Sequence, residues 1–569
     1  MVVNFVNQVG EWNPQWFREL KGRLKPRNIL IAVTISLLGQ LLLLMAYSSQ
    51  LPVVDGKNIV QSRYCTGVGR QYTLPTCITD SFGGFVIDWS LWWKDVFSCL
   101  SVTAIFALLV VGTYMLISDL SKEEQRGTLN FLRLAPQSGR SILTGKLLGV
   151  PILLYLVGVL ALPLHFVAGL SAQIPVTQIL GFYGVLAASC LLFYSAALLF
   201  GLVGTWLGGF QAWLGSGPLL LFLFVLARGG GNVVIHNPLD WLNLFNPTIL
   251  VPYLLDSYGL DASYIPQPSL GGFRELQVFH LPIGASFWSL AACMVLNYGL
   301  WTFWAWQGLK RCFHNPSATL LGKQQSYWLT ACFEVVLLGF ALNPQTNNYR
   351  NLAKGLFDNY QIVLVVNLLL FLVLIAALSP HRQAMQDWAR YRHQKRSSRK
   401  GGLLADLVWG EKSPAIFAVM LNLLIASVSL LAWMALWPIN EYKTLAIWGL
   451  LVTVTLISVY AAVAQVMLFM KTPKRAPLAA TSVASLIVLP PIVFSILSMT
   501  PTENPGLWMF SAFPWIGLET VSGISVFLAV IGQSLMLGLL SLQLTRQLRE
   551  AGESTTKALL SGRSPLAVK

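Results

Sequence analysis

Charged side chains are scarce in this 569-residue chain, so the places where they gather stand out. The densest mixture of acid, base, glycine and hydroxyl is SKEEQRGTLNFLRLAPQSGRSILTGKLLG, Ser121 to Gly149. Glu123, Glu124 and Arg126 form a polar approach to Leu129, Phe131 and Leu132, and Pro136 and Gly139 then interrupt the helical stretch. A short amphipathic element of this kind can dock into a groove on a partner. On composition alone, an ordinary solvated loop fits the same residues.

The stretch is not a nucleotide site. A P-loop needs four residues between its first glycine and Gly-Lys-Ser/Thr, so that backbone amides cradle phosphate and the hydroxyl holds magnesium. Between Gly139 and Gly145-Lys146 there are five, and Leu147 stands where the hydroxyl should be. The chain is therefore expected neither to hydrolyse ATP itself nor to act as an enzyme. Glu334, in ACFEVVLLGF, is the one carboxylate inside an apolar run. Such a group is a candidate for a substrate path or a proton relay, and a protonated, hydrogen-bonded side chain between helices is the alternative. Cys65 and Cys77 share one polar segment, where a disulfide would add roughly 3 kcal/mol in an oxidising compartment. Two free thiols are the other reading. No set among the seven cysteines has the paired spacing of a zinc site, so no metal is expected.

The elements that position these residues are set by composition. Only 11% of residues are charged against 55% hydrophobic, and mean hydropathy is +0.63, so most of the chain has lipid as its solvent. No polar stretch is long enough for an independent globular domain. The net charge of +15 is spread over short loops and does not point to nucleic acid. Apolar runs of spanning length occur at 29–47, 96–118, 147–169, 179–203, 210–227, 283–306, 327–343, 361–379, 416–437, 444–470, 477–499 and 521–543. The runs at 210–227 and 327–343 are short and could be re-entrant. With the amino terminus inside, 29 of the 38 Lys and Arg fall on the cytoplasmic side, while the acids divide almost evenly, as the positive-inside rule requires.

The expected fold is an all-α polytopic membrane protein of about twelve transmembrane helices in two six-helix halves, with both termini cytoplasmic. A cytoplasmic amphipathic segment, 1–28, precedes the first half, 29–306, which carries external loops 48–95 and 228–282 and a cytoplasmic loop 119–146. A linker, 307–326, leads to the second half, 327–543, with a basic cytoplasmic loop at 380–415. A tail follows at 544–569. NPLDWLNLFNP from Asn237 and NPGLWMFSAFP from Asn504 share Asn-Pro-x-x-Trp-x5-Pro, each before the last span of its half, as in transporters built from repeats. In the amino-terminal segment, Asn13 is placed to cap a helix beginning at Pro14. Trp16, Phe17, Leu20 and Leu24 lie on one side, Arg18, Lys21, Arg23 and Lys25 on the other, the pattern of an interfacial helix.

The order of acids, Arg-Gly-Thr-Leu, Leu-x-x-x-Pro and Gly-Lys-Leu-Leu between the second and third spans resembles the type 2, exporter-type permease subunits of ABC transporters. The amphipathic leader resembles the elbow helix of the same family. The resemblance covers residues 10–306; the second half has no equivalent of the Glu-x-x-Gly-Thr-Leu pattern. It implies that a separate cytoplasmic ATP-binding subunit, as a dimer carrying ATP and magnesium, contacts the loop. Glu123, Glu124, Arg126, Gly127, Thr128, Leu129, Leu132 and Pro136 would then be the coupling positions. No cofactor is expected on this chain itself. Its other partners would be membrane lipids, with association of two copies left open. The expected location is the plasma (inner) membrane. Two rivals remain at this stage: a secondary transporter of 6 + 6 helices, and a membrane enzyme acting on a lipid-linked substrate.

Overall fold

The computed structural model describes residues 10–53, 60–67, 74–81, 83–229, 236–255, 271–342, 349–395, 402–438, 440 and 442–552. The first nine residues, parts of the loops at 48–95 and 228–282, the end of the basic run at 396–401 and most of the 544–569 tail lie outside them. The described residues are helical with no strand, only isolated bridges, so the chain is an all-α polytopic protein. It divides into two units, Met1–Ile235 with Asp240–His314, and His236–Leu239 with Asn315–Lys569.

The first unit opens with α1 (Pro14–Arg23) and α2 (Pro26–Ser48). Next come α3 (Trp89–Phe106) and α4 (Gly112–Gln125), which form one long rod through a π-helical turn at Ala107–Val111. That turn has a visible cause. The Tyr194 hydroxyl donates to the Leu108 carbonyl at 2.7 Å, and a Cβ on Gly112 would sit 2.2 Å from the same hydroxyl. The inserted tyrosine widens the helix and satisfies the carbonyl it frees. The unit continues with α5 (Thr128–Leu134), α6 (Gly139–Gly149), α7 (Ile152–Ser171), α8 (Val176–Val203), α9 (Gln211–Gly229) and α10 (Phe287–His314). Helix α8 packs against α10 and α4, α2 against α7, and α1 against α6.

The second unit holds α11 (Lys323–Ala341), α12 (Tyr349–Leu378), α13 (Arg382–Lys395), α14 (Leu403–Trp409), α15 (Ile416–Ala435), α16 (Lys443–Leu468), α17 (Arg475–Ile496) and α18 (Gly523–Gly552). Helix α16 is its centre, packed against α12, α15, α17 and α18.

Among the described residues, ten helices are long and apolar enough to cross a membrane: α2, α3–α4, α7, α8, α9, α12, α15, α16, α17 and α18. Helices α10 and α11 have the length but a diluted apolar content. Trp288, Asn297, Tyr298, Trp301, Trp304 and Trp306 interrupt one, and Lys323, Gln324, Gln325, Tyr327 and Glu334 the other. Both Asn-Pro repeats form short helical turns, 3-10 at Pro238–Phe245 and α at Pro505–Trp508. Their tryptophans, Trp241 and Trp508, are buried, and the Trp508 indole donates to the Met499 carbonyl.

Candidate functional site

The distinctive site is built where α1, α4 and α6 meet. Asn13 caps α1, its side chain accepting from the Trp16 amide at 3.0 Å, and its own amide donates across to the Ser141 carbonyl at 2.8 Å. One side chain thus starts α1 and ties it to α6. Docking is close because α6 offers two glycines four residues apart on one face. A Cβ on Gly145 would sit 2.8 Å from the Trp16 amide nitrogen, and one on Gly149 would sit 2.4 Å from the Glu19 Cβ. Gly145, which in sequence imitates part of a phosphate loop, is here a helix-packing residue.

Between them, Lys146 is fully buried. Its ammonium lies 2.7 Å from Asp119, 2.8 Å from Glu123 and 3.4 Å from Glu19. Arg23 pairs with Glu19 and Asp119, and Arg18 with Glu123 at 2.8 Å. Three cations and three carboxylates therefore balance. Burial alone would lower the Lys146 pKa, but Asp119, Glu123 and Glu19 outweigh it and hold the pKa above the ordinary 10.5. The three carboxylates approach closely enough to hold a metal ion, yet the cation between them is the Lys146 ammonium. A buried charge of this kind is tolerated only with such complete pairing.

This cluster fixes the base of α5. Helix α4 ends at Gly127, whose φ of +70° is the left-handed stop that glycine adopts without strain. The Thr128 hydroxyl donates back to the Glu123 carbonyl at 3.1 Å, and Ser138 caps α6 by accepting from the Ser141 amide. Leu129 and Leu132 point inward, packing with Leu116, Leu120, Ile142, Leu143, Leu309 and Phe313. Arg133 donates to the Phe313 carbonyl at 2.8 Å and lies 3.7 Å from Glu124, so α5 is also tied to the end of α10. The outward face is different. Phe131 is 77% exposed and Leu134 83%, with Arg126 and Pro136 exposed beside them.

The eight residues expected to form a coupling loop thus divide by role. Glu123, Gly127, Thr128, Leu129 and Leu132 brace α5, Glu124 is half-buried against Arg133, and Arg126 and Pro136 face outward. Phe131 and Leu134 were absent from that set, although their spacing opposite Leu129 and Leu132 is a signal of an outward apolar face. On α1, the expected apolar stripe is partly displaced. Leu20 is buried, Trp16, Phe17 and Leu24 are half-buried, and the most enclosed face also carries Asn13, Gln15 and Glu19. The reason is that α1 packs on protein through its capping and ion-pairing groups.

Other expected residues lie elsewhere. Glu334 is fully buried in α11, where the Asn367 side chain donates to it at 3.4 Å. Cys65 and Cys77 form a disulfide with their Cα atoms 4.8 Å apart. The remaining five cysteines are free thiols.

Comparison of the chain with protein-family models, with curated proteins and with solved structures found no match.

Proposed function

We propose that the chain is the membrane-spanning permease subunit of an ABC transporter of the exporter type, powered by a separate ATP-binding subunit that docks on α5. The observation that supports this is an exposed apolar pair, Phe131 and Leu134, on a short helix braced from behind by a buried ion cluster and an aliphatic core. A helix that only closed a loop would have no need of both. A rigid, outward apolar tip suits a lever, since a push on α5 is passed directly to α4, α6 and α1. Coupling then works through the difference in affinity of the partner for two arrangements of the membrane helices. In this reading α10 and α11 also cross, making twelve spans, and the basic loops and both termini are cytoplasmic in the inner membrane.

A second reading, a secondary transporter, is favoured by one observation: Glu334 is a carboxylate buried within α11 beside the neutral Asn367. Ion-coupled carriers place ionisable groups in such positions.

The two readings separate on purification of the chain from its native membrane. An associated ATPase whose activity falls at least about tenfold in the double variant Phe131→Ser, Leu134→Ser supports the permease. Both side chains are exposed, so the variant should keep its thermal stability. Absence of any ATP-binding subunit, or activity untouched by the double change, refutes it.

A further inference from the structure

At the end of α3 remote from α5 lies a polar cavity of about 410 Å³, lined in part by Arg63 and Tyr64, which adjoin the Cys65–Cys77 disulfide. Its walls include Tyr47 at the end of α2, Arg63 and Tyr64 from the loop, and Asp95, Ser98 and Cys99 from α3. The volume is that of a small-molecule site. Arg63 and Asp95 pair at 2.8 Å, and the Tyr64 hydroxyl donates to the other Asp95 oxygen at 3.0 Å. Both charged side chains are largely withdrawn from solvent, at 28% and 12% exposure.

We infer that this cavity binds a zwitterionic head group carrying an ammonium and a phosphate. Charge balance within the cavity favours such a ligand. A ligand with a single charge would engage one member of the pair and leave the other partly buried without its partner, which is costly. A zwitterion inserted between them gives each a new partner: the phosphate meets the Arg63 guanidinium in a forked geometry, and the ammonium meets the Asp95 carboxylate. Tyr47 and Tyr64 line the same space, and tyrosine rings attract ammonium groups. Such a ligand has two sources, a lipid of the surrounding bilayer or a free soluble zwitterion. The lipid source is within reach because α2, whose Tyr47 forms one wall, leaves Leu38, Leu41, Leu42 and Met45 uncovered along its length.

The test uses the purified full-length chain in nanodiscs. In discs of equal phosphatidylethanolamine and phosphatidylglycerol, native mass spectrometry reads the lipid retained on the ejected protein. In discs of phosphatidylglycerol alone, saturation binding of radiolabelled glycerophosphoethanolamine is measured, with glycerophosphate and ethanolamine as competitors. Selective retention of phosphatidylethanolamine supports the site with a lipid as its source. Saturable binding of glycerophosphoethanolamine supports it with a soluble source. In either case Asp95→Asn and Arg63→Gln should weaken binding at least about tenfold. If either variant fails to melt cooperatively, Ser98→Phe keeps the test open, because it fills the cavity while sparing the ion pair. The proposal is overturned if neither ligand is selected, if glycerophosphate or ethanolamine alone competes as well as the zwitterion, or if the folded variants bind as the native chain does.

Discussion

Lys146 carries the sharpest consequence at the scale of single residues. Replacing it with methionine removes the ammonium from among Asp119, Glu123 and Glu19 while filling much of its volume. The variant should lose about 3–5 kcal/mol, because three carboxylates remain with only Arg18 and Arg23 to balance them. Its pH dependence has a defined sign. A lysine whose folded pKa is raised contributes its full stabilisation below its unfolded value, ordinarily 10.5, and loses it as pH rises through the folded one. The difference in melting temperature between native chain and Lys146→Met should therefore hold steady from pH 7 to about pH 9.5 and shrink only at higher pH. A difference that disappears near neutrality would show that the lysine is not held as described. None of this was legible from spacing. The members come from positions 19, 119, 123 and 146, and pairing over such separations leaves no local periodicity. Lys146 itself read as part of an imperfect phosphate loop because glycine and lysine adjacent to each other serve two unrelated purposes.

At the scale of elements, the legible feature was the interruption at Pro136 and Gly139: α5 ends at Leu134 and α6 begins at Gly139. The stop at Gly127, which separates α4 from α5 in a left-handed turn, was not anticipated beside it. What stayed hidden was which face of α5 points out, because that depends on the distant Leu309 and Phe313 that enclose Leu129 and Leu132. Gly127 is the hinge of this arrangement. At its φ of +70° a side chain is disfavoured, and nothing crowds the position where a Cβ would go, so Gly127→Ala should cost about 1–2 kcal/mol through backbone conformation alone. Calorimetry of the purified variant measures the loss. A neutral result would mean that the turn relaxes freely and does not hold α5 at a set angle.

For the whole molecule, the all-α membrane architecture was readable from composition and run length, since lipid demands continuous apolar helices. Of the two runs expected to be weakest, 210–227 (α9) is among the ten helices apolar enough to cross and 327–343 (α11) is not, and neither is α10, where tryptophan, tyrosine and amides lower the hydropathy. Between α5 and the residues that link α10 to α11 lie α7, α8, α9 and α10, whose crossings decide whether that link lies on the same side as α5. Ser317 is exposed in that stretch. A cysteine placed there should react with an impermeant thiol reagent from the same side as one placed at Arg126, as twelve spans require. Reaction from opposite sides would mean that an odd number of α7, α8, α9 and α10 cross, which contradicts twelve spans.

The proposal that α5 receives a separate ATPase is tested most directly by a photo-crosslinking amino acid in place of Phe131, activated in intact native membranes. The expected result is a covalent adduct between position 131 and a peripheral ATP-binding polypeptide, with a weaker adduct from the inward-facing position 129. Crosslinks from position 131 to lipid alone, or equal adducts from both positions, would contradict it.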